Sequence, residues 1–130
     1  MVKVSIPSER LRTALNEDPE FRIAARYWDG ELELDIGERP WVITLASGVV
    51  TSVSNDVPPA RTGHVVITAP VDDWAKLLQD PPPPFYHDFY PATCWHSFRF
   101  GGDSDYLWAY YAAVRRTAVI LRATASVARD

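Results

Sequence analysis

Residues 31–36 read Glu-Leu-Glu-Leu-Asp-Ile, and this alternation constrains the chain more than any other feature. Successive side chains of a strand point to opposite faces, so Leu32, Leu34 and Ile36 share one side and Glu31, Glu33 and Asp35 the other. Such a strand is half-buried, with one apolar face and one fully acidic face. The period of two continues after the loop Gly37–Pro40, where Trp41, Ile43 and Leu45 alternate with Val42, Thr44 and Ala46. Ser47-Gly48 marks a turn, and Val49–Val53 resumes the strand. These three runs predict an antiparallel meander. Asn55–Gly63, with Pro58-Pro59, reads as a loop. His64–Thr68 is the next strand, and Ser97–Phe100 is a last short one before Gly101-Gly102.

Helical signals surround these strands. Leu11 and Leu15 lie four apart in a short amphipathic segment, Ser8–Leu15. Asp18-Pro19-Glu20 has the order N-cap, first-turn proline, acid, so a second short helix through Arg26 competes with a strand from Phe21. Asp72 is placed to cap a helix over 73–79, with Trp74, Leu77 and Leu78 on one side. Asp80 and four prolines follow and read as a stiff, extended connector. Asp103 or Ser104 caps a final helix running to about Arg122. On a wheel, Leu107, Tyr110, Val114, Ala118 and Leu121 form the stripe that faces the sheet. Trp108, Ala112 and Val119 form a second, narrower strip. That strip fits the N-terminal segment, a ligand cavity or a homodimer through Trp108 and Val119. Arg115 and Arg116 read as solvated helix charges.

The length of 130 residues suits one domain over 1–130, with an N-terminal helical segment at 1–20 and a Pro/aromatic-rich connector at 80–91. A net charge of −4 disfavours nucleic acid, whose phosphates need a basic patch, and docking on an anionic leaflet. The single cysteine, Cys94, cannot form an internal disulfide. No signal-peptide run and no apolar stretch long enough to span a bilayer occur, so the expectation is a cytoplasmic protein without stable membrane insertion. His64, His87 and His96 lack metal-ligand spacing, so neither a metal nor a cofactor is expected. There is no G-x-S-x-G elbow, and Gly101-Gly102-Asp103 is a strand-to-helix turn, not a phosphate loop.

The aromatics carry the functional signal. Trp74, Phe85, Tyr86, Phe89, Tyr90, Trp95, Phe98 and Phe100 crowd into residues 74–100. One helical layer on one sheet does not bury that many rings as close-packed filler without gaps. Trp and Tyr also suit sites where an apolar body meets a polar rim. A concave apolar pocket is therefore expected, lined by Trp74, Phe85, Tyr86, Phe89, Trp95 and Phe98. A hydrophobic small molecule is its natural partner. The alternative is a small cofactor-free isomerase, cyclase or hydratase, with His87, Asp88 and Tyr86 as weak acid/base candidates. Whether the chain is an enzyme stays open at this point.

The order of elements resembles the sterol carrier protein type 2 family over roughly residues 29–122. The resembling pieces are the meander Glu31–Val53, the strand His64–Thr68, the strand-then-helix unit Ala69–Leu78, and Ser97-Phe98-Arg99-Phe100-Gly101-Gly102-Asp103 opening the last helix. The resemblance implies an α/β (α+β) sandwich, a five-stranded, mostly antiparallel sheet with helices packed on one face. It implies an apolar space for a lipid between sheet and C-terminal helix, lined by Trp74, Leu77, Leu78, Leu107, Tyr110, Tyr111 and Val114. The chain departs from the family in its single methionine, its acidity and its Val127-Ala128-Arg129-Asp130 end, which is not a Ser-Lys-Leu address.

Overall fold

Strand β2 (Gly30–Ile36) lies at the centre of the molecule, with every other strand of the main sheet built out from it. The computed structural model describes residues 1–129. β2 pairs antiparallel with β3 (Arg39–Ala46), which pairs antiparallel with β4 (Val49–Ser54). The chain then returns through loop 55–63 to β5 (His64–Ala69), which lies parallel to β2 on its other side. β6 (Arg99–Gly102) closes the sheet antiparallel to β5, giving the order β4-β3-β2-β5-β6. The sheet is five-stranded and mostly antiparallel, with its helices on one face, as the alternation and the resemblance led one to expect. Register aligns Leu32 with Ile43 and Val65, and Leu34 with Trp41 and Ile67, so the apolar sides of three strands form one surface.

Helices cover that surface. α1 (Ser8–Glu17) turns Leu11 and Leu15 into the core. α2 (Pro19–Ala25) starts at Asp18, whose carboxylate accepts from the Phe21 N–H at 2.8 Å, so the helix reading of this segment holds. α3 (Val71–Leu77) begins two residues before the expected 73. Pro70 ends the strand and opens the helix, and Asp72 lies in its first turn without serving as its cap. The proline run is not uniformly extended: Tyr86 N–H donates to Pro83 O at 3.1 Å, closing a turn with Phe85 at φ +66°. A short α4 (Phe89–Trp95) follows, in a stretch where the sequence pattern predicts no helix.

The C-terminal helix is broken. α5 (Ser104–Ala109) and α6 (Tyr111–Thr124) meet at Tyr110, which has φ −112° and ψ 21°. The Tyr110 ring stacks on Trp28, centroids 5.2 Å apart. A single wheel across 104–122 is therefore not valid, although Leu107, Val114, Ala118 and Leu121 are all buried as the stripe requires. Arg116 is not a free solvated charge. It holds Asp18 of α2 through two hydrogen bonds of 2.9 Å. Two short strands also escape the pattern, β1 (Val2–Ser5) and β7 (Ser126–Arg129), which pair antiparallel beside α3. Each has four residues, and Val4 is the one fully buried among them, too short a run for an alternation to be read.

Candidate functional site

The layer between sheet and helices is built from rings. Trp74 meets Phe98 at 5.0 Å and Phe89 at 5.7 Å, both edge to face, and Phe89 and Phe98 lie 5.9 Å apart. All three are shut off from solvent, as are Leu77, Leu107 and Val114. The Trp74 indole N–H donates through the sheet to Asp35 O at 2.9 Å, which satisfies its one polar atom. The rings thus interlock. None of the five surface clefts described in the molecule borders Trp74, Phe89 or Phe98. Of the residues expected to line a pocket, Leu78 alone borders such a cleft.

The remaining expected residues form the margin of this layer. Tyr86 is buried, with its hydroxyl donating to Asp73 at 2.8 Å and its ring stacked on His96 at 3.7 Å. Burial, with the Asp73 carboxylate beside it, pushes the Tyr86 hydroxyl up to about 12. Phe85 and Trp95 stack on each other at 4.8 Å and stay largely exposed. Tyr90 and Trp108, also exposed, meet edge to face at 5.8 Å, and Trp108 also contacts Phe100 and Tyr111. Tyr111 donates to Asp88 at 2.7 Å, and burial with that carboxylate raises its pKa. Val119, on α6, is also exposed.

The acid/base candidates do not converge. Asp88 caps α4 and accepts from Phe89 N–H and Tyr111. His87 is exposed, and its carbonyl accepts from Arg122. Tyr86 is committed to Asp73. The alternative enzymatic reading therefore has no shared reaction centre at these residues. Arg122, at the expected end of the last helix, donates to Leu77 O, Tyr86 O and His87 O and so ties the proline segment to α6. Burial lowers its pKa.

The opposite face of the sheet carries the larger surprise. Glu31 and Glu33 are 3% and 8% exposed, so the acidic side of β2 is not a solvated face. Loop 55–63 leans over it. Arg61 Nε donates to Glu31 at 3.0 Å, and His64 Nε2 lies 2.8 Å from Glu33. His64 Nδ1 is 3.3 Å from Glu31 but is not aligned for a hydrogen bond. Burial, with Glu33 next to it, pushes the Asp35 carboxyl up to about 6. A cleft of about 560 Å³ runs over this row between Val57, Pro58 and Arg61 of the loop and His64 and Val66 of β5. Among the described residues no group of His, Cys, Asp and Glu is arranged to hold a metal ion. The sequence pattern does not signal this row, because His64 comes opposite Glu31 only through the parallel pairing of β2 with β5.

No protein-family model matches the sequence, and no curated protein matches it. Solved structures do. A crystal structure of sterol carrier protein 2 aligns over 89% of this chain and 93% of its own, with a TM-score of 0.67 and 20% identity. The fold is that of sterol carrier protein 2. A solution structure of a conserved hypothetical protein, "possibly sterol carrier protein", from Thermus thermophilus aligns over 88% of this chain and 82% of its own. Its TM-score is 0.61 at 19% identity. A UbiJ-SCP2 ubiquinone synthesis protein aligns over 85% and 90%, with a TM-score of 0.53 and 16% identity. At these identities the sterol carrier protein 2 likeness extends to the arrangement of strands and helices and not to individual side chains. Among the described residues no helix is long and apolar enough to cross a membrane.

Proposed function

We propose that this chain is a cytoplasmic binding module for a hydrophobic small molecule of lipid type, held between the sheet and α5–α6. The observation that carries the reading is the aromatic layer itself, a ring-filled interior whose margin ends in half-exposed rings at Phe85, Tyr90, Trp95 and Trp108. The sterol carrier protein 2 fold and the names of its neighbours support it. The exposed Cys94, the only cysteine, suits a reducing compartment.

In this reading the ligand enters by displacing α4. That helix has seven residues and two buried anchors, Phe89 and Ala92. Short elements with few apolar contacts open first. Moving Phe89 aside frees the space next to Trp74 and Phe98. Burying about 400 Å² of ligand surface gains roughly 10 kcal/mol at ~25 cal/mol/Å². Association costs about 4 kcal/mol or more. The surplus of about 6 kcal/mol at most predicts binding near ~40 μM or weaker, before any polar anchor is counted.

Titration with fatty acids, sterols and polycyclic aromatics, read by tryptophan fluorescence, tests this. A saturable shift with at least one class at or below ~100 μM is expected on these magnitudes. No shift with any of them at that concentration removes the proposal.

A further inference from the structure

β6 ends the main sheet, and its outer edge is open. It pairs with β5 alone among the described residues, and Arg99, Gly101 and Gly102 are exposed. The direction of its backbone groups is fixed where the strand ends, because Asp103 N–H donates to His64 O at 2.8 Å. The Gly102 carbonyl lies across the same trans peptide from that N–H, so it points away from β5. Opposed residues of an antiparallel pair alternate between bonded and non-bonded. Arg99, opposite Thr68, and Gly101, opposite Val66, therefore bond to β5, and Phe100 and Gly102 turn their N–H and C=O groups outward. No strand or loop among the described residues takes up these outward groups. The other edge of the sheet is closed differently. On β4 the Asn16 side chain accepts from Val50 N–H at 2.8 Å and donates to Val50 O at 2.9 Å. An edge left open is a template for another strand.

The strand that fits this edge is β6 itself. Two copies set antiparallel about a two-fold axis at Gly101 place Phe100 of one opposite Gly102 of the other, and the outward groups of each such pair exchange hydrogen bonds. Gly101 then meets its own copy in a non-bonded pair, where the chains come closest and no side chain intervenes. A Cβ built at Gly101 meets only the Val66 side chain, at 3.7 Å, so the space beyond it is free. Arg99 comes opposite Asp103 of the second copy, on the outer face of the sheet. Arg99 forms no ion pair among the described residues. The Asp103 carboxylate accepts from Gly63 N–H and Tyr106 N–H, which hold it ionised and leave each oxygen a further acceptor site. On the helix face, Phe100 has only a glycine across from it. Trp108, 53% exposed and 5.9 Å from the Phe100 ring, flanks the joint. We propose that this chain associates with a second copy of itself through antiparallel pairing of β6, joining the two main sheets into one. The proposal rests on this edge alone and is independent of the hydrophobic-ligand reading.

Sedimentation equilibrium on the whole protein from ~10 μM to ~1 mM tests this, a range suited to a weak contact. The apparent mass should rise from 14.6 kDa towards twice that value. Association should weaken with added salt, because the Arg99–Asp103 pairs are exposed. Gly101→Lys sets two like charges face to face on the axis. It should stay monomeric at every concentration and melt like the wild type, since Gly101 lies outside the left-handed region and has free space beside it. Arg99→Gln should weaken association about tenfold and remove most of its salt dependence. Val119→Lys, on the exposed side of α6, should associate like the wild type. Hydrogen exchange gives a residue-level readout that needs no variant. The Phe100 and Gly102 amides should slow as concentration rises, and the Gly101 amide, already bonded to β5, should change far less. A wild type monomeric throughout, association that survives Gly101→Lys, or association without slowing at Phe100 and Gly102 overturns the proposal. Association lost in Val119→Lys and kept in Gly101→Lys also overturns it and places the contact on α6. Should Gly101→Lys melt early, exchange in the wild type decides.

Discussion

Asp35 keeps its proton to about pH 6 in the folded protein, against an ordinary value of 3.8. The folded state therefore binds more protons than the unfolded state between these values, and stability falls as pH rises from ~4 to ~6. The full shift corresponds to about 3 kcal/mol, but Asp35 is partly exposed and solvent screening reduces the effect to about 1 kcal/mol. Asp35→Asn keeps a neutral donor beside Glu33 at every pH. We expect it to raise the urea midpoint at pH 8 by the equivalent of ~1 kcal/mol and to match the wild type near pH 4. A variant less stable than wild type at pH 8 contradicts this. The acids of β2 were legible as a face, because the alternation is local. Their burial was not legible, because it depends on Arg61 and His64, thirty or more positions along the chain.

At the scale of elements, two arginines do what apolar periodicity could not foretell. Arg116 ties α6 to the N-terminus of α2, and its hydrogen bonds hold the Asp18 carboxyl below its ordinary value. Here the sign is opposite to that of Asp35. The stabilisation is present above the unfolded value of 3.8 and is lost as pH falls through the folded one. Asp18→Asn keeps a good N-cap and loses the ion pair, at a cost of about 1 kcal/mol at pH 7. Asp18→Ala loses both, about 2 kcal/mol. An Asp18→Asn variant as stable as the wild type by urea unfolding would show that the clasp contributes nothing, and equal costs for the two substitutions that the cap does not. Arg122 pins the proline segment through the carbonyls of Tyr86 and His87, and holds the end of α3 through that of Leu77. Arg122→Ala should speed amide hydrogen exchange over Gln79–Asp88 while leaving β2 and β3 protected; unchanged exchange there contradicts the pinning. The helix signals at Asp18-Pro19-Glu20 and Asp103 were readable because capping acts within one turn. The break at Tyr110 was not, because it accompanies a stack on Trp28, eighty-two residues earlier in the chain.

For the whole molecule, the sheet was legible because three consecutive strands alternate and pair with their sequence neighbours. The aromatic surplus was legible as a quantity but not as a shape. The rings that would have framed an open hollow instead divide into an interlocked interior triad and two exposed pairs. Phe89 is the ring on which this arrangement turns. Phe89→Ala should destabilise the fold by about 3–5 kcal/mol. It should also tighten binding of an apolar ligand, because the space no longer has to be cleared. A variant that unfolds more easily and binds no more tightly would place the ligand elsewhere.

The indole N–H of Trp74 is the most direct reporter of the layer, since it is buried and bonded to Asp35 O. Nitrogen-15 spectra recorded during a dodecanoate titration should show this resonance and the amides of Phe89–Trp95 shifting together and saturating with a single affinity. Saturable shifts confined to the exposed indoles of Trp95 and Trp108, with Trp74 unmoved at full occupancy, would contradict a ligand held between sheet and helices.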